Sequence, residues 1–358
     1  MPSETGVVTN DIPILPGIRN VGQLLSENGY ETVYLGKLHL PIPFPRSYRG
    51  FDVIPSGKPL GEIGDTSVAR GAELFLHEHD DEKPFFMVVN FDQSHDILSR
   101  VTRNYPEWEA SAFEHEKQNI GEAPALPPNF RDYHGGMAGV RREQITEIEE
   151  HDEFAWRHYL WSYCRLVEGA DACLGHVLKT LENTGRIDDT LIMFTADHGE
   201  GCAHHGTVMK NSLYEESIRV PLAVSYKRVL PKGAVDDEHL VSGIDIAPTI
   251  ADFAGIKEDP GFTGRSLKNL LLTGDARWRQ WLSVEHSSSA ESKAIVTGDY
   301  KYIKMHDPKT GREREYCFDL EKDPQERENI VEDENVAETI RRLRALASQG
   351  GRQMKGAS

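Results

Sequence analysis

Short apolar runs that alternate with helix-like segments constrain the fold of this chain more than any other feature. The runs occupy residues 32–35, 85–91, 190–196 and 220–226, and the segments beside them have apolar residues at helical spacing. Strands that are apolar along their whole length are typical of parallel sheets that helices cover on both faces. The sequence therefore predicts an α/β fold with a mostly parallel sheet sandwiched by helices.

Polar and charged residues follow three of these runs. Lys37 and His39 come after the first run, and His95 comes after the second. Directly after the third run, nine residues hold Asp197, His198, Glu200, Cys202, His204 and His205. Lys210 follows shortly afterwards. Because ligands of such sheets bind beyond the carboxyl ends of the strands, we expect these side chains to converge on one crevice.

Two further regions depart from the alternating pattern. Residues 100–150 mix proline, glycine, aromatic and charged residues without periodicity, which predicts a long excursion from the sheet. It is either a substrate-facing lid or a plain surface insertion. After residue 260, paired strands and a terminal amphipathic helix are expected. We therefore predict a catalytic domain over 1–260 and a smaller α+β subdomain over 261–358.

Composition excludes several classes of partner. The formal net charge of −18 disfavours binding to nucleic acid or to anionic membranes, which need surfaces rich in lysine and arginine. No apolar run approaches the roughly 20 residues of a membrane span. The four cysteines have neither the spacing of a zinc site nor the number for a disulfide framework. Oligomeric state and compartment stay open.

Asp197 and His198 supply a carboxylate and an imidazole, a pair that suits a divalent cation. Oxygen ligands favour Ca²⁺, Mg²⁺ or Mn²⁺, and the imidazole shifts the preference toward transition metals. Two ligands do not hold a metal tightly, so others must come from elsewhere. Taken alone, the pair also fits a helix-capping aspartate beside a solvated histidine.

The lysines and the other histidines allow two interpretations. Lys37 and Lys210 can neutralise the oxygens of an anion, although a solitary lysine is usually a solvated surface charge. His39 and His95 fit loop or capping roles equally well, and His205 fits an exposed surface. Their shared position after predicted strands favours a functional site. A cation and several donors around a tetrahedral oxyanion suit an anionic ester.

Six segments resemble the sulfatases of the alkaline phosphatase superfamily. They occur in the expected order: GYETVYLGKLHL, NFDQSH, TLIMFTADHGEGCAHHGTVMKNSLYEESIRVPL, IDIAPTIADFAG, TGRSL and CFDLEKDPQERENI. The similarity covers nearly the whole chain, is weakest over 100–150, and is most specific over 197–221. It implies an alkaline phosphatase-like fold and hydrolysis of a small-molecule or carbohydrate sulfate ester.

The resemblance also implies roles for individual residues. Asp197 and His198 would be metal ligands, and the metal would be Ca²⁺, with Mg²⁺ or Mn²⁺ as alternatives. His205 aligns with a histidine of the family members that carry DHG, and is expected to contact substrate. The residues that bind the sulfate oxygens or protonate the leaving alcohol would be Lys37, His39, His95 and Lys210.

One part of the family pattern is missing from these 358 residues. Sulfatases use a formylglycine made from the first residue of C/S-x-P-S-R, and two further metal-binding aspartates from the first strand. No P-S-R follows Cys164, Cys173, Cys202 or Cys317. MPSETGVVTN fits the turn after the nucleophile helix, so we expect this chain to begin just past its nucleophile.

Three hypotheses for function follow. The first is a sulfatase that hydrolyses sulfate esters. The second is a phosphodiester or phosphonate monoester hydrolase of the same superfamily, which DHG-type sites also serve. The third is a truncated, non-catalytic remnant that binds anions or a partner.

Overall fold

Four strands form the first sheet of the computed structural model, which describes residues 5–7, 9, 12–15, 17–39, 46–54, 61–80, 82–98, 123–132, 134, 153–257, 261–274, 277–287, 291–306 and 311–348. The strands are β1 (Glu31–Gly36), β2 (Ser47–Tyr48), β3 (Phe51–Ile54) and β4 (Phe85–Asn90), in the order β2-β3-β1-β4. β1 runs parallel to both β3 and β4, and only β2 is antiparallel. The predicted parallel strands of an α/β fold are therefore confirmed.

Helices cover this sheet as the apolar pattern predicts. They are α1 (Val21–Glu27), α2 (Gly61–Glu78) and the long α3 (Glu153–Asn183). The buried core joins β1 to α2 and α3: Val33 and Leu35 pack in one cluster with Leu76 and Leu181. Asn20 caps α1 in a reciprocal capping box with Gln23, which fixes the helix start beside the sheet.

The third and fourth apolar runs form a second, two-stranded sheet. β5 (Ile192–Thr195) pairs with β6 (Leu222–Ser225) in antiparallel register, and the short helix α4 (Glu215–Ile218) lies between them in sequence. The architecture is thus more mixed than the sequence predicts. Apolar runs indicate burial on both faces but carry no information on strand direction.

β4 and β5 are both edge strands within the described part of the chain, because β4 pairs only with β1 and β5 only with β6. A cavity of about 1670 Å³ lies along both strands. Residues of α3 and of α5 (Ile246–Phe253) also line it. β4 is only half-buried throughout, whereas most of β1 is buried, and Phe194 of β5 is 45% exposed. We call this cavity the groove.

The C-terminal part is an antiparallel sheet with a helix packed on it, as predicted. After α6 (Lys268–Thr273) come β7 (Leu282–Ser287), β8 (Glu291–Val296), β9 (Tyr300–His306), β10 (Glu313–Asp319) and α7 (Ala337–Ser348). The four strands follow one another across the sheet. Its core also takes in Leu213 and Tyr214, which precede the predicted boundary at residue 260.

Of the predicted excursion over 100–150, only residues 123–132 and 134 belong to the described residues, so its role as a lid stays a prediction. Across the described residues, no helix combines the length and apolar character that crossing a membrane requires.

Candidate active site

Lys37, His95 and Lys210 line the same cavity, and Lys37 and His95 lie beyond the carboxyl ends of β1 and β4. The parallel pairing of β1 with β4 aligns Gly36 with Asn90, so the segments that follow the two strands begin side by side. The Lys37 N–H donates to the Asn90 carbonyl at 3.0 Å, and the Asn90 side-chain amide donates to the Lys37 carbonyl at 2.7 Å. The backbone of Lys37 is therefore held from both sides. We call these three residues the cation cluster.

The members of the cation cluster lie close enough to affect one another's ionisation. Burial and then the charges of Lys37 and Lys210 lower the pKa of His95. Burial and then Lys37 also lower the pKa of Lys210, while nearby carboxylates oppose that shift. Asp92 offsets part of this repulsion, since its Oδ1 lies 2.8 Å from the Lys37 Nζ. Two lysines and a histidine therefore share this part of the groove with the Asp92 carboxylate.

A buried aspartate holds the turn that carries His95. Asp65, on α2, accepts the N–H of Asp92 at 2.7 Å on one carboxylate oxygen and the N–H of Gln93 at 3.0 Å on the other. Sequence reasoning missed Asp65, because it lies 27 residues before Asp92 in a helix with no motif around it. Its effect is to fix where the turn leaves β4.

Asp197 and His198 also line the groove, directly beyond β5. The His198 Nδ1 lies 2.9 Å from the Gly199 carbonyl, which makes Nδ1 the protonated nitrogen. In a neutral ring the lone pair is then on Nε2, which lies 3.4 Å from Asp197 Oδ2. The Asp197 side chain is 81% exposed. One oxygen and one imidazole nitrogen therefore stand together, open to a cation.

These two donors fit a divalent metal without completing its shell. Among the described residues, the groups of three or more potential ligand atoms are Asp92/His95/Asp96 and His205/Glu216/Glu326, and neither contains Asp197 or His198. Ca²⁺ takes six to eight oxygen ligands. The pair therefore needs ligands from another segment.

His205 does not lie in the cation cluster. It is buried, its ring stacks on Tyr214 with centroids 3.7 Å apart, and both of its ring nitrogens are bonded. Nδ1 donates to the Asp132 carbonyl at 2.8 Å, and Nε2 accepts from the Asn129 amide at 3.1 Å. Burial lowers the pKa of His205, which agrees with a neutral ring. His39 is exposed, and the cavity lining does not include it.

Three of the four thiols of the chain are poor nucleophiles. The four cysteines are free. Burial raises the pKa of Cys202, which lines the groove, and of Cys173, and it raises the pKa of Cys317 to about 11. Since the thiolate is the reactive form, none of these three is activated for attack.

Among the family profiles and relatives that match this chain are sulfatases. A profile described as Sulfatase matches residues 1–256, and one described as N-sulphoglucosamine sulphohydrolase, C-terminal, matches residues 203–351. A Delta 4,5-hexuronate-2-O-sulfatase of Bacteroides thetaiotaomicron is 27% identical over 377 residues, covering 97% of this chain and 75% of that protein. An arylsulfatase of Clostridium perfringens is 30% identical over 279 residues, 76% of this chain and 54% of its own length.

Solved structures give the same fold. A 2-O GAG sulfatase superimposes with a TM-score of 0.82 at 24% identity, over 97% of this chain and 78% of that one. The phosphonate monoester hydrolase of Agrobacterium radiobacter superimposes with a TM-score of 0.72 at 20% identity, over 97% and 84% of the two chains.

Proposed function

The chain belongs to the sulfatase family, and from that premise we propose that its site serves the hydrolysis of sulfate esters. The observation that carries the proposal is the convergence of Lys37, His95 and Lys210 at one end of the groove. Relatives named as sulfatases of hexuronate and of N-acetylglucosamine support a carbohydrate sulfate as substrate.

Each member of the cation cluster suits a separate part of this task. The ammonium groups of Lys37 and Lys210 can bind the non-bridging oxygens of the sulfate, and so stabilise charge that builds there. His95 is half-buried with a lowered pKa, so its neutral ring can accept or donate a hydrogen bond near neutral pH. We assign it to the oxygen of the leaving alcohol.

Asp197 and His198 would hold the divalent cation, for which we propose Ca²⁺. When bound, the cation would polarise the sulfate and neutralise part of its charge. The exposed Asp197 carboxylate and the His198 Nε2 that lies 3.4 Å from it support this assignment. The role of His39 stays a prediction, and we assign His205 to holding its loop.

We further propose that a β-strand fills the groove and completes the site. Among the residues that the structure describes, β4 and β5 each have one edge without a strand partner, and helices α3 and α5 line the groove beside them, so an extended apolar segment would pair with β4 and β5 and bury its side chains on both faces. The family resemblance puts two metal-binding aspartates on the first strand of the fold, which would be such a segment. The 45% exposure of Phe194, whose side chain such a strand would cover, supports this proposal.

Sulfate binding tests the proposal directly. Titration calorimetry of the 358-residue chain with inorganic sulfate should show binding that Lys37→Ala and Lys210→Ala each weaken about tenfold or more, as loss of a charge-assisted hydrogen bond predicts. Lys227→Ala is the matched control, because this half-exposed lysine lies 3.9 Å from Glu182, away from the cavity lining. Equal affinities for wild type and Lys210→Ala would overturn the assignment.

Turnover is best measured on the protein from its native source, with its intact mass and N-terminal peptides mapped alongside. An upstream C/S-x-P-S-R peptide together with cleavage of an aryl sulfate supports the proposal. The likeness to phosphonate monoester hydrolases makes phosphonate esters the second candidate substrate. Paired assays separate them: faster cleavage of an aryl phosphonate than of the matching aryl sulfate would favour the second function.

A further inference from the structure

The backbone of Met209, the residue before Lys210, is held in an unusual conformation. Its φ is +68°, in the left-handed region that few non-glycine residues adopt. Its N–H donates to Glu200 Oε1, and its carbonyl accepts the N–H of Gly201 at 2.8 Å. A strained conformation persists only where its surroundings determine it. Here both backbone polar groups of Met209 are bonded to the segment that directly follows His198.

Glu200 links this strained residue to the long helix α3. The same Oε1 that accepts from Met209 also accepts the Tyr159 O–H at 2.6 Å. Tyr159 is 2% exposed and packs with Trp156 in a buried cluster. The carboxylate of Glu200 is thus tied to a rigid element on one side. On the other side it accepts the N–H of Met209, the residue that directly precedes Lys210.

Charge acts in the same direction as these hydrogen bonds. Glu200 and Lys210 attract each other, and both line the groove. Lys210 is half-buried beside Lys37, so repulsion between the two ammonium groups would drive that of Lys210 away from Lys37. A nearby fixed carboxylate opposes that displacement.

We propose that Glu200 is a positioning residue for Lys210: it fixes the backbone at Met209 and so the place where the ammonium group meets a sulfate oxygen. This inference rests on the proposed function, because it needs Lys210 to bind the anion. Glu200 itself needs no contact with substrate.

The test is a double-mutant cycle on the 358-residue chain, with inorganic sulfate as the ligand and calorimetry as the readout. Glu200→Ala should weaken sulfate binding about tenfold. Glu200→Gln should lose less affinity than Glu200→Ala, because its amide oxygen can still accept from Met209 although the charge that attracts Lys210 is gone. In a chain that already carries Lys210→Ala, Glu200→Ala should have no further effect, because Glu200 acts through Lys210. Glu168→Ala, an exposed glutamate on α3 that pairs with Arg165, is the control.

Each outcome supports or overturns the inference. Wild-type affinity in Glu200→Ala, or a further loss in the Lys210→Ala background, would overturn the role of Glu200. If Lys210→Ala binds sulfate as wild type does, the result contradicts the proposed function, and this inference, which depends on it, is contradicted as well. If Glu200→Ala does not fold, Glu200→Asp replaces it. Its side chain is one methylene shorter, so the carboxylate no longer reaches the Met209 N–H. Wild-type sulfate affinity in Glu200→Asp would contradict the proposal.

Discussion

Glu326 should make the stability of this protein fall between pH 5 and pH 8. It is 0% exposed; its Oε2 accepts the Glu215 N–H at 2.7 Å, and its Oε1 lies 2.5 Å from the Lys301 ammonium. Burial raises the pKa of Glu326 from 4.5 to about 7, although Lys301 and the Glu215 N–H oppose the shift. The folded state therefore holds this proton more tightly than the unfolded state does. Its stabilising contribution is full below about pH 4.5 and is lost as pH rises through about 7.

The shift of roughly 2.5 pKa units corresponds to about 3 kcal/mol of unfolding free energy. Glu326→Gln cannot ionise, so this part of the pH dependence should vanish, even though the variant loses a contact with Lys301 or Glu215. Urea unfolding at pH 5 and pH 8, followed by tryptophan fluorescence, measures the difference for each chain. Glu321→Gln, an exposed glutamate near the same turn, should keep the wild-type difference. Equal differences for wild type and Glu326→Gln would refute the reasoning.

Three further outcomes are expected. His205→Ala should lower the free energy of unfolding in urea by about 3 kcal/mol, because it removes two hydrogen bonds and the ring stacked on Tyr214. Its sulfate affinity should stay within a few-fold of wild type, and a large loss of affinity would mean that His205 contacts the substrate. Arg279→Met should cost about 3 kcal/mol or more, because the 0%-exposed Asp245 side chain loses its ion pair at 2.6 Å; an unchanged unfolding midpoint would contradict this. Cys202 and Cys317 should resist iodoacetamide at pH 8 until urea unfolds the chain, as peptide mass spectrometry can check.

The proximity of Lys37 and His95 could be predicted from sequence because strand ends in a parallel sheet are neighbours. Lys37 and His95 lie 58 positions apart in the chain, but each follows an apolar run, and pairing of β1 with β4 aligns those runs. The direction of β6 could not be predicted in the same way. Antiparallel pairing with β5 leaves the apolar pattern of residues 222–225 unchanged.

The positions of His205, Glu200 and Asp65 depend on contacts that local sequence does not encode. His205 turns inward because Asn129, 76 residues earlier, donates to its ring. Whether a histidine in a polar loop faces solvent or a buried partner is therefore decided by tertiary packing. A single carboxylate that accepts backbone N–H groups leaves no motif, so Asp65 had no sequence signal.

The lowered pKa values in the cation cluster also imply that the anion is bound together with protons. Burial and mutual repulsion lower the pKa of His95 and of Lys210 in the free protein. A sulfate placed among them adds an opposite charge, which must raise both pKa values. Binding near neutral pH and above should therefore take up a fraction of a proton, and the calorimetric enthalpy should change with the ionisation enthalpy of the buffer. Lys210→Ala should reduce the uptake at alkaline pH, and a buffer-independent enthalpy would mean that sulfate binds away from the cation cluster.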